Sequence, residues 1–313
     1  MAARSFRFDD LGYPSRLRSL ASLAPAAPPP ETVSVEGDFV YDDSKTHIAI
    51  VGSRGCPPLA YEFAFEFARQ SARAGAIVIS GGAVGIDRAA HEGAMEGGGA
   101  TWSVLGCGAP HIHPQENADL FPRIVESGGA IIQPFPDGAP PLTARFLSRN
   151  RTLVALADVV IVVQAGMPSG ALSSAQWALK LGRPLWVVPG ALAHKGIAGS
   201  AKLMANPRVH VVRSMFLLGE ELGVPVPDPD ADPEAASDVV SRPVSASTPV
   251  CYTEEEKKVL QALSFTPKHP DQLSLETGLS ASAVSTVLLT LALGDVVVEG
   301  SSGLFQRKKL VTC

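Results

Sequence analysis

The sequence predicts an α/β protein, a doubly wound parallel sheet followed by a small C-terminal domain. Two observations predict it. Short β-branched apolar runs alternate with stretches of helical spacing from residue 47 to residue 222, and most runs end at glycine or small polar residues. An acidic, Pro-rich stretch at 225–250 then separates this array from a last block, 251–313, whose pattern is helical before it turns to a hairpin. Strands alternating with helices close right-handed βαβ units, which give a parallel sheet covered on both faces.

Residues 1–44 read as an irregular lead-in. The Ala/Pro run at 24–30 favours extended chain, and Val33, Val35, Phe39 and Val40 around Gly37 fit a short edge strand or hairpin. The regular array occupies 45–224. Its expected strands are 47–51, 77–79, 102–105, 130–133, 159–163, 185–188 and 209–212. The expected helices are 59–74, 87–95, 117–126, 146–157, 173–181 and 215–222. Ligands of such sheets collect beyond the C-terminal ends of the strands, where this chain places Ser53 and Arg54, 80–85, 106–108, Gln133, 164–170 and Pro189-Gly190. In the last block, Thr253 with Glu256 forms a capping-box pattern before a helix to residue 263. Helices at 270–277 and 280–293, then strands 296–298 and 304–306 about a turn at 300–303, complete a winged-helix pattern.

The stretch IVISGGAVGIDRAAH at 77–91 reads as strand, glycine turn and helix start. Gly81, Gly82 and Gly85 let backbone amides approach a ligand, and the helix start adds unpaired donors and the positive end of its dipole. Its spacing is neither GxGxxG nor the P-loop pattern, so a phosphate cradle and an ordinary βα connection are both open from this stretch alone. Asp87 and His91, four apart on one helix face, lack a third ligand or a nucleophile at usable spacing and are read as structural.

Ser169 and Gly170, after the most apolar strand, form a second turn of phosphate-binding type, with Ser173 and Ser174 nearby. Arg54 offers an anion partner at the neighbouring strand end. In FLSRNR at 146–151, Phe146 stands beside Arg149 and Arg151. If this segment is helical the two guanidiniums point to different faces, one free for phosphate and the other holding the fold, and Phe146 is either core or a surface for a base.

The net charge is −5, from 26 Lys and Arg against 31 Asp and Glu, a balance that disfavours a nucleic-acid partner until it is divided along the chain. Residues 133–202 carry seven Lys and Arg against two Asp, a net +5 within a remainder of −10. Cys56, Cys107, Cys251 and Cys313 lie far apart, so neither a zinc site nor a disulfide framework is indicated. No uninterrupted apolar window is long enough for a membrane span, and the first residues carry acids rather than an apolar leader, so a cytoplasmic location is expected.

Taken together, VGSRG at 51–55, SGGAVGID with His91, VLGCG at 104–108, His113-Pro114 with Asn117, FLSRNR at 146–151, SGALSSA at 169–175 and GRPLWVVPG at 182–190 resemble the DprA/Smf DNA-processing family. The resemblance is strong over 44–200 and architectural from 251 onward. It implies a Rossmann-like core that forms a homodimer, binds single-stranded DNA without a cofactor or metal, is not an enzyme, and loads the RecA recombinase during natural transformation. By position it implies a DNA pocket lined by Gly52, Ser53, Arg54, residues 81–85, Phe146, Arg149, Asn150 and Arg151. Val84 stands where the family usually has Lys or Arg, and Gln133 and Gln164 where acids are common. Ala201, Asn206 and Pro207 depart from the family pattern after the last turn.

Two other functions are set beside this one. A Rossmann-like phosphoribohydrolase would share the glycine-turn crevice, but its PGGxGT signature is absent, since Pro189-Gly190 runs into Ala191-Leu192. A transcription regulator would act through the winged helix, yet SASAVSTVLLTLAL at 280–293 has no Lys or Arg, and over 251–313 acids outnumber Lys and Arg seven to six. A major-groove reader needs cations for phosphates and polar side chains for base edges. That block is therefore expected to be a protein-interaction or regulatory module rather than a duplex reader, with Arg307, Lys308 and Lys309 at its tail still able to touch a DNA backbone.

Overall fold

Ile48 and Ile50 point to one face of the first long strand, Ala49 and Val51 to the other, and both sets are buried. This period-2 burial on two faces is what a sheet covered by helices on both sides requires. The computed structural model describes residues 4–10, 12–23, 27–42, 44–190, 195–227, 253–263, 268–293, 297–299 and 305–307. The chain divides into two units, Met1–Ala236 and Ser237–Cys313.

The first unit holds β1 (Arg4–Arg7), α1 (Ser15–Arg18), β2 (Thr32–Gly37), β3 (His47–Gly52), α2 (Pro58–Arg73), β4 (Ile77–Ser80) and α3 (Ile86–Glu96). It continues with β5 (Thr101–Val104), α4 (Leu120–Glu126), β6 (Ala130–Gln133), α5 (Thr143–Leu156), β7 (Val159–Val163) and α6 (Gly170–Lys180). The last elements are β8 (Leu185–Val188), α7 (Ala198–Met204), β9 (His210–Val211) and α8 (Met215–Leu222). The sheet order is β1-β2-β6-β5-β4-β3-β7-β8-β9. From β6 to β9 every pair is parallel. The strand order reverses beside β3, whose neighbours are β4 and β7. A doubly wound sheet opens a crevice at such a switch point.

The expected Rossmann-like sheet is therefore present, with two antiparallel strands added at one edge. β2 pairs antiparallel with β6, Val35 opposite Ile132, and β1 pairs antiparallel with β2. The lead-in is thus more regular than its sequence suggests. β2 falls where a short edge strand or hairpin is expected, with Val33 and Val35 buried, but it is an inner strand because β1 pairs along its outer side. β1, RSFR, has no apolar run to announce it and is mostly exposed. The short α7 also escapes the sequence, since seven residues with no long apolar stripe carry little periodic signal.

α2 and α3 pack side by side through small residues. A Cβ on Gly93 would lie 2.0 Å from the Phe65 carbonyl oxygen, and one on Gly97 would lie 2.4 Å from that of Arg69. Ala64, Ala68, Ala89, Ala90 and Ala94 fill the rest of that seam. On the opposite face α5 and α6 bury Leu153, Val154 and Ala175 against Val160 and Val162.

The second unit holds α9 (Glu254–Ala262), α10 (Pro270–Thr277), α11 (Ala281–Leu293) and the hairpin β10 (Val297–Glu299) with β11 (Phe305–Arg307). This is the expected winged helix. Both halves of the capping box form: Thr253 accepts from the Glu256 amide, and Glu256 accepts from the Thr253 amide. Val259, Leu273, Val284, Leu288 and Val297 make its core. The body of the expected linker, the turn at 300–303, Ala191-Leu192, and Lys308 and Lys309 lie outside the described residues. Among the described residues, no single helix is long and apolar enough to cross a membrane.

Candidate functional site

β3 and β7 end side by side at Gly52 and Val163, and the loops leaving them open a crevice of about 680 Å³. Gly52 has to be glycine, because a Cβ there would lie 2.1 Å from the Val163 carbonyl oxygen and 2.6 Å from Ile86. Gly52, Ser53 and Arg54 form one wall; Phe146, Arg149 and Asn150 from α5 form another; Ser169 and Gly170 at the start of α6 form a third. A smaller adjoining cavity of about 120 Å³ takes in Gly81 and Val84. Nine of the twelve residues singled out from the sequence thus meet around these two spaces.

Three do not. Gly82 and Gly85 stand behind the wall. Gly85, φ 83°, is pressed against the backbone, where a Cβ would lie 2.5 Å from both the Ser53 and the Arg54 carbonyl oxygens. Arg151 lies on another face of α5. Because α5 begins at Thr143, before the expected start, the whole 146–151 segment is helical, and residues two apart point in different directions. The charge of Arg151 acts on Tyr13, whose hydroxyl donates to the Pro30 carbonyl, and burial lowers the Arg151 pKa.

Arg149 is buried although it lines the crevice. Its Nη1 donates to the Gly81 carbonyl at 2.8 Å and to the Val104 carbonyl, tying the ends of β4 and β5 to α5. Burial pushes its pKa down to about 10, opposed by the carboxylate of Asp87 and aided by the positive charge of Arg54. It remains charged at neutral pH. Of the two guanidiniums in the 146–151 segment, that of Arg149 is held by backbone carbonyls and that of Arg151 is not among the residues lining the crevice.

The glycine loop is likewise engaged by the protein itself. The amides of Gly81 and Ala83 donate to Asp87 Oδ2 at 3.1 and 3.4 Å. The Ile86 amide donates to the Ser53 carbonyl and the Arg88 amide to the Ala83 carbonyl. Asp87 therefore occupies the place that a bound phosphate takes at such a turn. Burial raises its pKa, against the attraction of Arg149 and the loop amides. The loop carries a carboxylate of its own rather than serving as an open cradle. Asn117 holds the loop from behind, its Nδ2 donating to the Gly82 carbonyl at 2.9 Å.

His91 is sealed in the core. Thr101 Oγ1 donates to the Val78 carbonyl, so it accepts from His91 Nδ1 at 2.7 Å, and the ring is neutral with a bare, unpartnered Nε2. Burial, with Arg149 nearby, pushes its pKa down to about 3.

Arg54 and the start of α6 are left facing the space. Arg54 is exposed. Ser169 caps α6 by accepting from the Leu172 amide, while the first-turn amides of Gly170 and Ala171 have no acceptor within the helix. Asn150 Nδ2 donates to the Gly170 carbonyl and fixes this turn against α5. α7 braces the loop after β7: Ser200 Oγ accepts from the Ala165 amide, and the Ser200 amide donates to the Ala165 carbonyl. The site is therefore a hydrogen-bonding turn and one outward cation across a crevice.

His113 and Phe146 add a ring pair at its edge, centroids 5.1 Å apart. Phe146 seats on Gly106, where a Cβ would lie 2.4 Å from its ring. His113, Thr143, Leu147 and Ser174 line the crevice without having been singled out as site residues. His113 stands in the His113-Pro114 pair, Leu147 in FLSRNR and Ser174 in SGALSSA, whereas Thr143 has no sequence signal. Among the described residues no three His, Cys, Asp or Glu side chains gather as metal ligands would.

A family model described as DNA recombination-mediator protein A matches residues 4–222, and one described as DprA winged helix domain matches residues 227–302. Protein Smf of Escherichia coli K12 is 36% identical over 189 residues, 60% of this chain and 50% of its own. The chain thus spans about half the length of that relative. Among solved structures, DNA processing protein A from Helicobacter pylori, described for its single-stranded DNA binding mode, superposes with a TM-score of 0.62 at 28% identity, over 71% of this chain and 96% of that one. DprA from Streptococcus pneumoniae superposes with a TM-score of 0.60 at 27% identity, over 69% and 73%.

Proposed function

Because this chain belongs to the DNA recombination-mediator protein A family, we propose that it binds single-stranded DNA in the switch-point crevice of its first unit and hands that strand to the RecA recombinase in DNA processing and transformation. The observation that carries this reading is the pairing of exposed Arg54 with the open first turn of α6 across a crevice edged by Phe146 and His113. A phosphodiester carries one negative charge and several acceptor oxygens. Arg54 supplies the charge and a fork of donors, and the amides of Gly170 and Ala171 with the dipole of α6 supply the rest. An aromatic edge beside such a phosphate site accepts a base of any identity, so little sequence preference is expected.

In this reading the chain does no covalent chemistry. The one buried carboxylate at the crevice, Asp87, is engaged by the loop amides and by the field of Arg149, which suits a structural anion better than a general base. The proposal includes a homodimer, which places two crevices on one strand. Fluorescence anisotropy with the full chain tests the core of it. Oligo-dT should bind more tightly than a duplex of equal length, and Arg54→Ala should weaken the oligo-dT complex. Equal affinity of Arg54→Ala and wild type at low salt would place the DNA elsewhere. RecA loading is read separately, as faster filament formation on single-stranded DNA when the chain is added.

A further inference from the structure

A strand that turns through glycine into a helix start is a ready anion site, and here the anion belongs to the chain itself. The amides of Gly81 and Ala83 donate to Asp87 Oδ2, and the Ser80 hydroxyl adds a hydrogen bond to the same carboxylate. Asp87 stands in the first turn of α3, an 11-residue helix whose N-cap, Gly85, has no side chain to offer its amides. The counter-charge is Arg149. A Cβ on Gly81 would lie 2.6 Å from Asp87 Oδ2 and 2.7 Å from both Arg149 Nη1 and Nη2, so the two charged groups converge on one point above Gly81. Both residues are only 7% exposed, and Arg149 Nε has no hydrogen-bond partner.

Two loop amides, a helix start and a buried guanidinium are the donor set that a phosphate takes. They border an open space, since Gly81, Ala83 and Arg149 line the cavity of about 120 Å³ beside the crevice, together with Arg54, His113 and Glu116. With the carboxylate in place the amides of Gly81 and Ala83 are spent and Arg149 is compensated. A second anion brought to this point meets a buried like charge in a low dielectric. The repulsion grows with the charge brought in. An internal phosphodiester carries one negative charge, whereas a terminal or free phosphate carries about −1.5 to −2 at neutral pH.

We propose that Asp87 is a built-in phosphate surrogate that closes the Gly81–Ala83 turn to terminal phosphates and free nucleotides. The crevice then takes a strand by its internal phosphodiesters and not by its end. Asp87 is in this sense a specificity-determining residue. The DNA half of the proposal rests on the single-stranded DNA reading above; the anion half needs no DNA, and the two are tested apart.

The test uses the full chain with inorganic phosphate, and with oligo-dT ending in a 5′-phosphate or a 5′-hydroxyl. Asp87→Ala lowers the unfolding temperature, because Arg149 and the loop amides lose their anion. Inorganic phosphate restores it saturably, by about 3–6 °C at ten times its dissociation constant. Wild type shows only the unsaturable rise that an excluded salt gives any folded protein. In fluorescence anisotropy the 5′-phosphate leaves wild-type affinity within about twofold and raises that of Asp87→Ala about tenfold. A saturable phosphate response equal in wild type and variant, or none in the variant, overturns the inference. A wild type that prefers the 5′-phosphate, or a variant that answers free phosphate but not the 5′-end, overturns the exclusion of strand ends. If Asp87→Ala stays unfolded in phosphate, Asp87→Ser, which leaves the same room and keeps a hydroxyl, decides by the same comparison. Failure of wild type to bind either oligonucleotide removes the single-strand reading and leaves the phosphate result to decide the role of Asp87.

Discussion

Arg149 Nη1 donates to the carbonyl of Gly81 at 2.8 Å, so a residue of the α5 crossover holds the first residue after β4. The bond is one of a set in which the same guanidinium also reaches the Val104 carbonyl and offsets the charge of Asp87. Arg54, on the facing wall, belongs to no such set.

The two arginines should therefore fail differently. Arg149→Ala leaves two carbonyls and a buried carboxylate uncompensated, at a cost of about 3–5 kcal/mol in unfolding free energy. Arg54→Ala should stay within about 0.5 kcal/mol of wild type while losing roughly tenfold in affinity for oligo-dT. Urea unfolding and anisotropy on both variants check this, and a stability loss in Arg54→Ala would contradict its assignment as a free ligand.

His91 predicts how the fold responds to acid. Its pKa is about 3 when folded, against an ordinary value near 6.5, so below neutrality the unfolded chain binds a proton that the folded chain excludes. The stabilisation is complete above about pH 6.5 and declines as pH falls toward 3, by up to about 1.4 kcal/mol per unit. Asp158, held at about 2 by His47 and Arg16 against its own desolvation, adds a loss in the same direction at lower pH, below its ordinary value of 3.8. Unfolding curves taken from pH 8 downward should show the first decline in wild type and a flatter one in His91→Gln.

Much of this was legible in the sequence because it rests on local pattern. The strands from β3 to β8 are apolar runs bounded by glycine or polar residues, and the capping box at Thr253 is a four-residue signal that forms as written. The crevice followed from topology, since the strand order reverses at β3 and the loops after β3 and β7 carry glycine and polar residues. Partner choice was not legible. Nothing in SGGAVGID tells that Asp87 would fill the anion position of its own loop, because that depends on Arg149 being buried beside it from far along the chain. The same holds for charge. Residues 133–202 carry a net +5, but helix phase sends Arg151 away from the crevice and burial consumes Arg149.

The seam between α2 and α3 makes a sharp demand on one position. At Gly93 a Cβ would meet the backbone oxygen of Phe65 at 2.0 Å, and backbone cannot rotate away as a side chain does. Gly93→Ala should cost about 3 kcal/mol by forcing the helices apart, whereas Ala→Gly at an exposed helix position costs about 1 kcal/mol through propensity alone. Chemical denaturation of the full chain measures the difference.

Gly106 tests the ring at the crevice edge. A Cβ there would come within 2.4 Å of Phe146, so the ring must leave its seat while the sheet beneath it stays intact. Phe146 is half-buried and reaches the crevice together with His113, 5.1 Å away, so displacing it alters the crevice edge more than the core. Gly106→Ala should lower oligo-dT affinity about tenfold, the worth of one base–aromatic contact, and lower abasic-strand affinity little. The additional variant Gly106→Ala/Phe146→Ala removes the clash together with the ring. It should recover stability but not affinity, which separates loss of the contact surface from a general loosening of the fold.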